Sequence, residues 1–174
     1  YTTFNHTAYL FSCNDRFDEA FDILLNFVQN PYLTEENVEK EKGIIGQEIQ
    51  MYDDDPSWQL FFGLLNSLYG KHAITKDIAG TIESIAEITP ETLYHCYNTF
   101  YDPSNMILCV CGDVDVDETM AIIKADTKPQ KVFSEIDRFY GDEDTEIKSK
   151  RTEKKMDVSL PMFMIGFKDL SNIG

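Results

Sequence analysis

Apolar residues recur at the three- and four-residue spacing of amphipathic helices in five stretches of the chain. The stretches begin near residues 17, 35, 56, 90 and 116 and end near residues 28, 52, 69, 100 and 124. Each follows a residue whose side chain can accept hydrogen bonds from the free amides at a helix start: Asn14 or Asp15, Thr34, Asp55, Thr89 and Asp115. The pattern therefore predicts five capped helices.

Three further stretches have the aromatic, β-branched or continuously apolar character of β-strands. They are residues 4–12, 106–111 and 162–167. The middle stretch contains no charged side chain, as expected of a strand at the centre of a sheet. Cys109 and Cys111 alternate within it and fall on one face, and no Cys-x-x-Cys motif occurs. We therefore predict reduced cysteines in the core rather than disulfides or metal ligands.

The chain is strongly acidic, with a net charge of −16 over 174 residues. Nucleic-acid binding requires a basic surface, so we expect no nucleic-acid partner. No apolar run reaches membrane-spanning length, and we expect no membrane partner. An acidic surface favours solubility, and it would also suit a cationic peptide or a basic protein partner.

Two glutamates interrupt the apolar side of the second predicted helix. With successive residues about 100° apart, Glu41 falls at about 300° and Glu48 at about 280° from Val38, within the arc of the other apolar residues. A carboxylate in a buried stripe is costly unless it is paired, hydrogen-bonded or bound to metal. Two interpretations are open at this point. The glutamates have buried polar partners, or they face a metal or catalytic site.

The sequence around this pair carries a family resemblance. Residues 39–49, EKEKGIIGQEI, followed by DDDP at residues 53–56, resemble the helix after the catalytic motif in the pitrilysin–insulinase family of zinc metallopeptidases. That family includes the mitochondrial processing peptidases. Residues 7–12, 80–85, 101–106 and 112–114 resemble further family segments in the same order, so the resemblance spans roughly residues 1–125.

The resemblance implies a zinc site of which this chain holds only a part. The family binds zinc through an inverted His-x-x-Glu-His motif and through a glutamate roughly seventy residues downstream. Glu48 matches that third zinc ligand, and Glu41, seven positions earlier, matches a supporting acid. The histidines His6, His72 and His95 do not form the motif, which would lie upstream of residue 1. We expect zinc in the intact family enzyme and none retained by this chain.

The resemblance also implies an α+β fold with a largely antiparallel sheet, helices packed on one face, and an incomplete N-terminus. Residues 1–127 would form most of a first peptidase-family domain without its zinc-motif segment. Residues 128–155, which are rich in charge and poor in aliphatic side chains, would form a linker or an exposed hairpin. Residues 156–174 would begin a second homologous domain. A domain without its opening strands would expose sheet edges, so we expect a homo-oligomer or a paired related subunit.

The resemblance finally implies a function. We expect a fragment of a zinc-dependent metalloendopeptidase that hydrolyses peptides in a two-halved chamber, and we expect the fragment to be inactive by itself. The alternative is a non-catalytic structural or substrate-holding partner subunit of the same family. The branch that the chain resembles most is bacterial and cytosolic, which predicts a cytoplasmic location.

Overall fold

The computed structural model describes residues 1–128, 136 and 142–169. These residues form two compact units. The first contains residue 1 and residues 6–38, 88–128 and 136, and the second contains residues 2–5, 39–87 and 142–169. Residues 129–135 and 137–141 of the predicted linker, and residues 170–174 of the predicted second domain, lie outside the described residues. The predicted domain boundaries stay a prediction.

The described part of the chain forms six α-helices: α1 (Phe17–Gln29), α2 (Glu35–Asp53), α3 (Pro56–Leu68), α4 (Ile82–Ala86), α5 (Pro90–Phe100) and α6 (Val116–Asp126). Two short 3₁₀ turns, Ala73–Thr75 and Pro103–Asn105, lie between them. The five predicted helices are confirmed, and the short helix α4 begins within residues 80–85, one of the segments that carry the family resemblance. None of the described helices combines the length and apolar character needed to cross a membrane.

Four of the five predicted helix caps are also confirmed. Asp55 Oδ1 accepts hydrogen bonds from the amides of Ser57 (2.8 Å) and Trp58 (3.2 Å) at the start of α3. Three other side chains accept from the amide three residues further on and cap α2, α5 and α6: Thr34, Thr89 and Asp115.

The predicted cap of α1 is wrong. The residue before this helix is Arg16, whose backbone is left-handed (φ 53°) and whose side chain makes no capping hydrogen bond. Asn14 and Asp15 lie too early in the chain to accept from the first turn, because a cap must directly precede the first helical residue. The acids Asp18 and Glu19 occupy the first turn instead, where their negative charges interact favourably with the positive end of the helix dipole.

The predicted α+β fold with its antiparallel sheet is wrong for this structure. No β-strand occurs among the described residues, and their regular structure is entirely helical. A strand depends on hydrogen bonds to a neighbouring strand, so an apolar stretch of sequence forms one only where a partner pairs with it. Ala8 exchanges a pair of backbone hydrogen bonds with Tyr1, but in the described residues no neighbouring strand pairs with any of the three predicted stretches. Ile107, Phe163 and Phe167 are accordingly 92%, 83% and 91% exposed.

The location predicted for the cysteines is wrong for the same reason. Cys13, Cys96, Cys109 and Cys111 are all exposed and free. Cys109 and Cys111 belong to the unpaired stretch 106–111, which has no second layer of structure over it in the described part of the chain. Alternate residues of an extended stretch lie on one face, but that face is buried only where another layer of structure packs against it.

Each unit has its own small apolar core. In the first unit, Phe21 of α1 is 1% exposed, and its ring stacks on Phe17 at 5.1 Å between centroids. In the second unit, the buried apolar side chains come from α2, α3 and α4: Ile49, Phe62, Leu65, Leu68 and Ile85. The helix that carries the two glutamates is thus held by packing within the second unit.

Candidate functional site

The packed side of α2 is set by its contact with α4. The Lys42 Nζ atom donates a hydrogen bond to the carbonyl oxygen of Ala86 at 3.3 Å, and the Lys42 side chain is 19% exposed. One turn further along, a methyl group added to Gly46 would lie 3.5 Å from Ile82 Cδ1. Ile49, on the same side of the helix, is 7% exposed.

The predicted burial of Glu41 and Glu48 is therefore wrong. Both glutamates are exposed. On the helical wheel, Lys42, Gly46 and Ile49 fall at about 40°, 80° and 20°, which is about 80–160° from the two glutamates. The most buried side chains of the helix, Val38 and Ile49, lie at 0° and about 20°, at the edge of the arc that contains the glutamates. Both interpretations of Glu41 and Glu48 assumed that these side chains lie on a buried face of the helix. In the described residues, the two side chains are exposed.

Glu48 is held by its neighbour one turn along the helix. The Tyr52 hydroxyl donates a hydrogen bond to Glu48 Oε1 at 2.8 Å. This hydrogen bond to a carboxylate, together with burial and the charges of Glu48 and Asp77, raises the pKa of the Tyr52 phenol. Residues four apart on a helix are surface neighbours, so the spacing of Glu48 and Tyr52 was a signal that our sequence analysis missed.

Tyr52 is in turn held by an aromatic contact. Its ring stacks on Trp58 of α3, with 4.5 Å between centroids and 19° between planes. The Trp58 Nε1–H donates to Asp77 Oδ2 at 2.5 Å, and Asp77 Oδ1 accepts from the Ala79 amide at 3.0 Å. A continuous series of contacts therefore runs from Glu48 through two rings to Asp77. The aromatic surface restricts where the Glu48 carboxylate can point.

Glu41 is less constrained. Among the described residues, its side chain has no hydrogen bond and no ion pair. Seven residues of helix separate it from Glu48 by about 10 Å along the axis, so the structure does not bring the two carboxylates together. Glu41 and Glu48 share one side of α2, as predicted, without touching each other.

The three histidines stand apart from Glu48 in the sequence and differ in environment. His6 and His95 are exposed, and His72 is half-buried. The His72 Nδ1 atom accepts a hydrogen bond from the Ile74 amide at 3.1 Å, which is a local turn contact. No group of three or more His, Cys, Asp or Glu side chains in the described part of the chain could hold a metal ion.

The residues present do not by themselves fit a catalytic zinc ion. Such an ion takes three protein ligands and keeps a fourth position for water or substrate. The described residues offer one carboxylate, that of Glu48, oriented by Tyr52. This arrangement can supply a single ligand to a site that other residues complete.

Two family models match the chain and cover it almost end to end. The model of the insulinase family, peptidase family M16, matches residues 1–82, and that of the peptidase M16 inactive domain matches residues 87–170. Glu41, Glu48 and Tyr52 all lie within the first match.

Relatives of known sequence agree with these models. The chain is 46% identical over 170 residues to a Bacillus subtilis protein named uncharacterized zinc protease YmfH, covering 97% of this chain and 40% of that protein. It is 32% identical over 125 residues to the uncharacterized zinc protease ML0855 of Mycobacterium leprae, covering 71% of this chain and 28% of that protein. The chain thus spans well under half the length of these relatives.

A solved structure is also similar. A crystal structure of an M16-like peptidase from Alicyclobacillus acidocaldarius matches with a TM-score of 0.74 and 43% identity, over 78% of this chain and 32% of that one. The family models, the relatives named zinc proteases and this structure point to the same group of proteins. The chain belongs to the insulinase family of peptidases, peptidase family M16.

Proposed function

We propose that this chain contributes the third zinc ligand, Glu48, to a zinc-dependent endopeptidase of the M16 family, with Glu41 as a supporting acid. The observation that carries this proposal is the Glu48 carboxylate held by the Tyr52 hydroxyl at 2.8 Å within the segment that matches the insulinase model. An oriented carboxylate on a packed helix is what a metal site requires of a ligand. The relatives named zinc proteases support the identity of the metal.

The chain does not retain zinc or cleave peptides by itself. This follows from the donor set: one carboxylate cannot replace three protein ligands, and the described residues contain no cluster of three. The intact protein hydrolyses peptides in a chamber closed by two related halves, as the family resemblance implies. Its location is cytoplasmic, an inference that the four free thiols support because reducing compartments maintain free cysteines.

The zinc assignment predicts a sharp difference between the chain alone and the chain in a full-length context. The purified chain is expected to contain far less than one zinc ion and to leave an unstructured peptide intact. A chimera in which this chain replaces the matched 170 residues of YmfH is expected to contain about one zinc ion. Glu48→Gln in that chimera removes stoichiometric zinc, whereas Glu41→Gln weakens zinc binding about 10–100-fold, as expected of a residue outside the ligand set.

Metal analysis by mass spectrometry and a fluorogenic peptide assay check both arms. One zinc ion per isolated chain, lost in Glu48→Gln, would contradict the incomplete site. A chimera that keeps its zinc after Glu48→Gln would contradict the ligand role.

A second candidate function is a non-catalytic structural or substrate-holding subunit. The match of residues 87–170 to the inactive-domain model favours it, because that model describes a peptidase domain without activity. The same chimera separates the two functions. If the unsubstituted chimera folds and binds no zinc, the subunit function replaces the catalytic one.

The partner expected for this chain is a second copy or a related subunit. Three apolar side chains from two of the predicted strands are more than four-fifths exposed: Ile107, Phe163 and Phe167. Apolar surface of this kind marks protein contacts, and the net charge of −16 argues against nucleic acid.

Self-association is therefore expected in solution. Multi-angle light scattering should give a mass above the 20.0 kDa of one chain, rising with concentration. Substituting both Phe163 and Phe167 by serine should lower that mass, because it removes both exposed aromatic rings of the stretch 162–167. A constant monomer mass across the concentration range would refute the expectation.

A further inference from the structure

The turn that follows α3 directs three successive backbone amides at one carboxylate. Glu143 Oε1 accepts from the Gly70 amide at 2.8 Å. Glu143 Oε2 accepts from the Lys71 amide at 2.8 Å and from the His72 amide at 2.7 Å. Successive N–H groups that converge in this way form an anion-binding concavity. All of these residues belong to the second unit.

A buried lysine completes the same cradle. The Lys168 Nζ atom lies 2.9 Å from Glu143 Oε1, and the two side chains are 6% and 16% exposed. Lys168 also donates to the main-chain oxygens of Asp144 and Glu146 and lies over the Tyr69 ring, 4.9 Å from its centroid. Each oxygen of the Glu143 carboxylate thus has two donors. This two-by-two arrangement matches a planar carboxylate group.

The cradle requires an anion. An ammonium group removed from water, such as that of Lys168 with its side chain 6% exposed, is strongly unfavourable without a counter-charge. Hydrogen bonds from the Gly70 amide, from Lys168 and from the Lys71 and His72 amides lower the pKa of Glu143 to about 2. The group in the cradle is therefore an ionised carboxylate throughout the physiological pH range.

We propose that the turn Gly70–His72 and Lys168 form a binding site for small carboxylates, which the chain fills with its own Glu143. In this arrangement Glu143 is an internal ligand that ties residues 142–146 to the end of α3. A free carboxylate of the same chemistry enters when Glu143 is absent. The inference concerns a site that is separate in sequence from Glu41 and Glu48, and it does not depend on the zinc assignment.

Glu143→Ala empties the cradle and gives the direct test. Sodium acetate is titrated into the chain at constant ionic strength, balanced with sodium chloride, and the amide signals of Gly70, Lys71 and His72 are followed by NMR. In Glu143→Ala these signals should shift saturably, with a midpoint on the order of 10 mM for so small a ligand. At ten times the dissociation constant, hydrogen exchange of the three amides should slow about tenfold.

The matched control is Asp144→Ala, which removes the same charge from the neighbouring residue. Asp144 is 67% exposed, and within the described part of the chain its side chain pairs only with Lys71, at 3.4 Å. This variant and the unsubstituted chain should show no saturable shift, because Glu143 still fills the cradle.

A further arm compares N-acetylglycine with N-acetylglycinamide. Binding of the acid alone extends the site to the carboxylate end of a peptide, and binding of acetate but not of the acid limits it to free small carboxylates.

Equal responses of the three amides in Glu143→Ala and Asp144→Ala would overturn the proposal. A second measurement tests it in the unsubstituted chain, where folding of a variant is not in question. Carbon-13 NMR should find the Glu143 carboxyl still ionised at pH 3.5, and Lys168→Met should raise its pKa. A Glu143 carboxyl that titrates near the ordinary 4.5 in the folded chain would equally overturn it.

The sign of the pH dependence follows from the lowered pKa. The stabilisation by Glu143 is complete above about pH 4.5 and is lost as the pH falls through about 2. The charged groups around the carboxylate are Lys168 and Lys71 on the positive side and Asp144 on the negative side. The difference in melting temperature between the unsubstituted chain and Glu143→Gln should therefore be constant above pH 5 and shrink below it.

Discussion

Trp58→Ala is expected to lower the free energy of unfolding of the second unit by about 2–4 kcal/mol. The substitution removes the stack on Tyr52, the tilted contact with Phe62 at 5.1 Å and the hydrogen bond to Asp77. The expected loss is smaller than for a fully buried aromatic residue because Trp58 is only half-buried. Urea unfolding followed by circular dichroism measures the loss.

Trp58→Phe separates the ring from its N–H group. Phenylalanine keeps an aromatic face for Tyr52 and loses only the donor to Asp77, so its cost should be about 1–2 kcal/mol. If the alanine and phenylalanine variants lose the same stability, the ring stack does not stabilise this part of the chain. Tyr52 would then orient Glu48 without help from Trp58.

Phe21→Ala is expected to lower the free energy of unfolding of the first unit by about 3–5 kcal/mol. Phe21 is 1% exposed and stacks on Phe17, so truncation leaves a cavity as well as a lost contact. Melting followed by circular dichroism at 222 nm should report the change, because α1 lies within this unit.

The control for Phe21 is another phenylalanine of α1. Phe27 is 64% exposed, and Phe27→Ala should cost less than about 1 kcal/mol, since little area returns to water. Comparable losses in the two variants would mean that Phe21 does not form the core of this unit.

The helices could be predicted from the sequence because their determinants are local. Asp55, Thr89 and Asp115 each bond to amides two or three residues away, and an i to i+4 ladder needs no distant partner. The strands could not be predicted in the same way. Whether residues 106–111 pair depends on a neighbouring strand that a pattern within those six residues cannot specify.

The roles of the candidate site residues stay predictions. The family resemblance proposed Glu48 as a zinc ligand, and the helical wheel placed Glu41 on the same side. The wheel misjudged the packed side because it counted apolar residues, whereas Lys42 and Gly46 of α2 also lie against residues of α4. The Glu143 cradle could not be foreseen, because its contacts with Gly70 join residues 73 positions apart in the chain.

The stacking of Tyr52 on Trp58 has a spectroscopic consequence. Trp58 is the only tryptophan in the chain, so all indole fluorescence comes from this residue. Its ring stacks on Tyr52, and the Tyr52 hydroxyl donates a hydrogen bond to the Glu48 carboxylate. Emission from this residue therefore reports on the side of α2 that carries Glu48 without an added label. The protein carries its own optical probe beside that carboxylate.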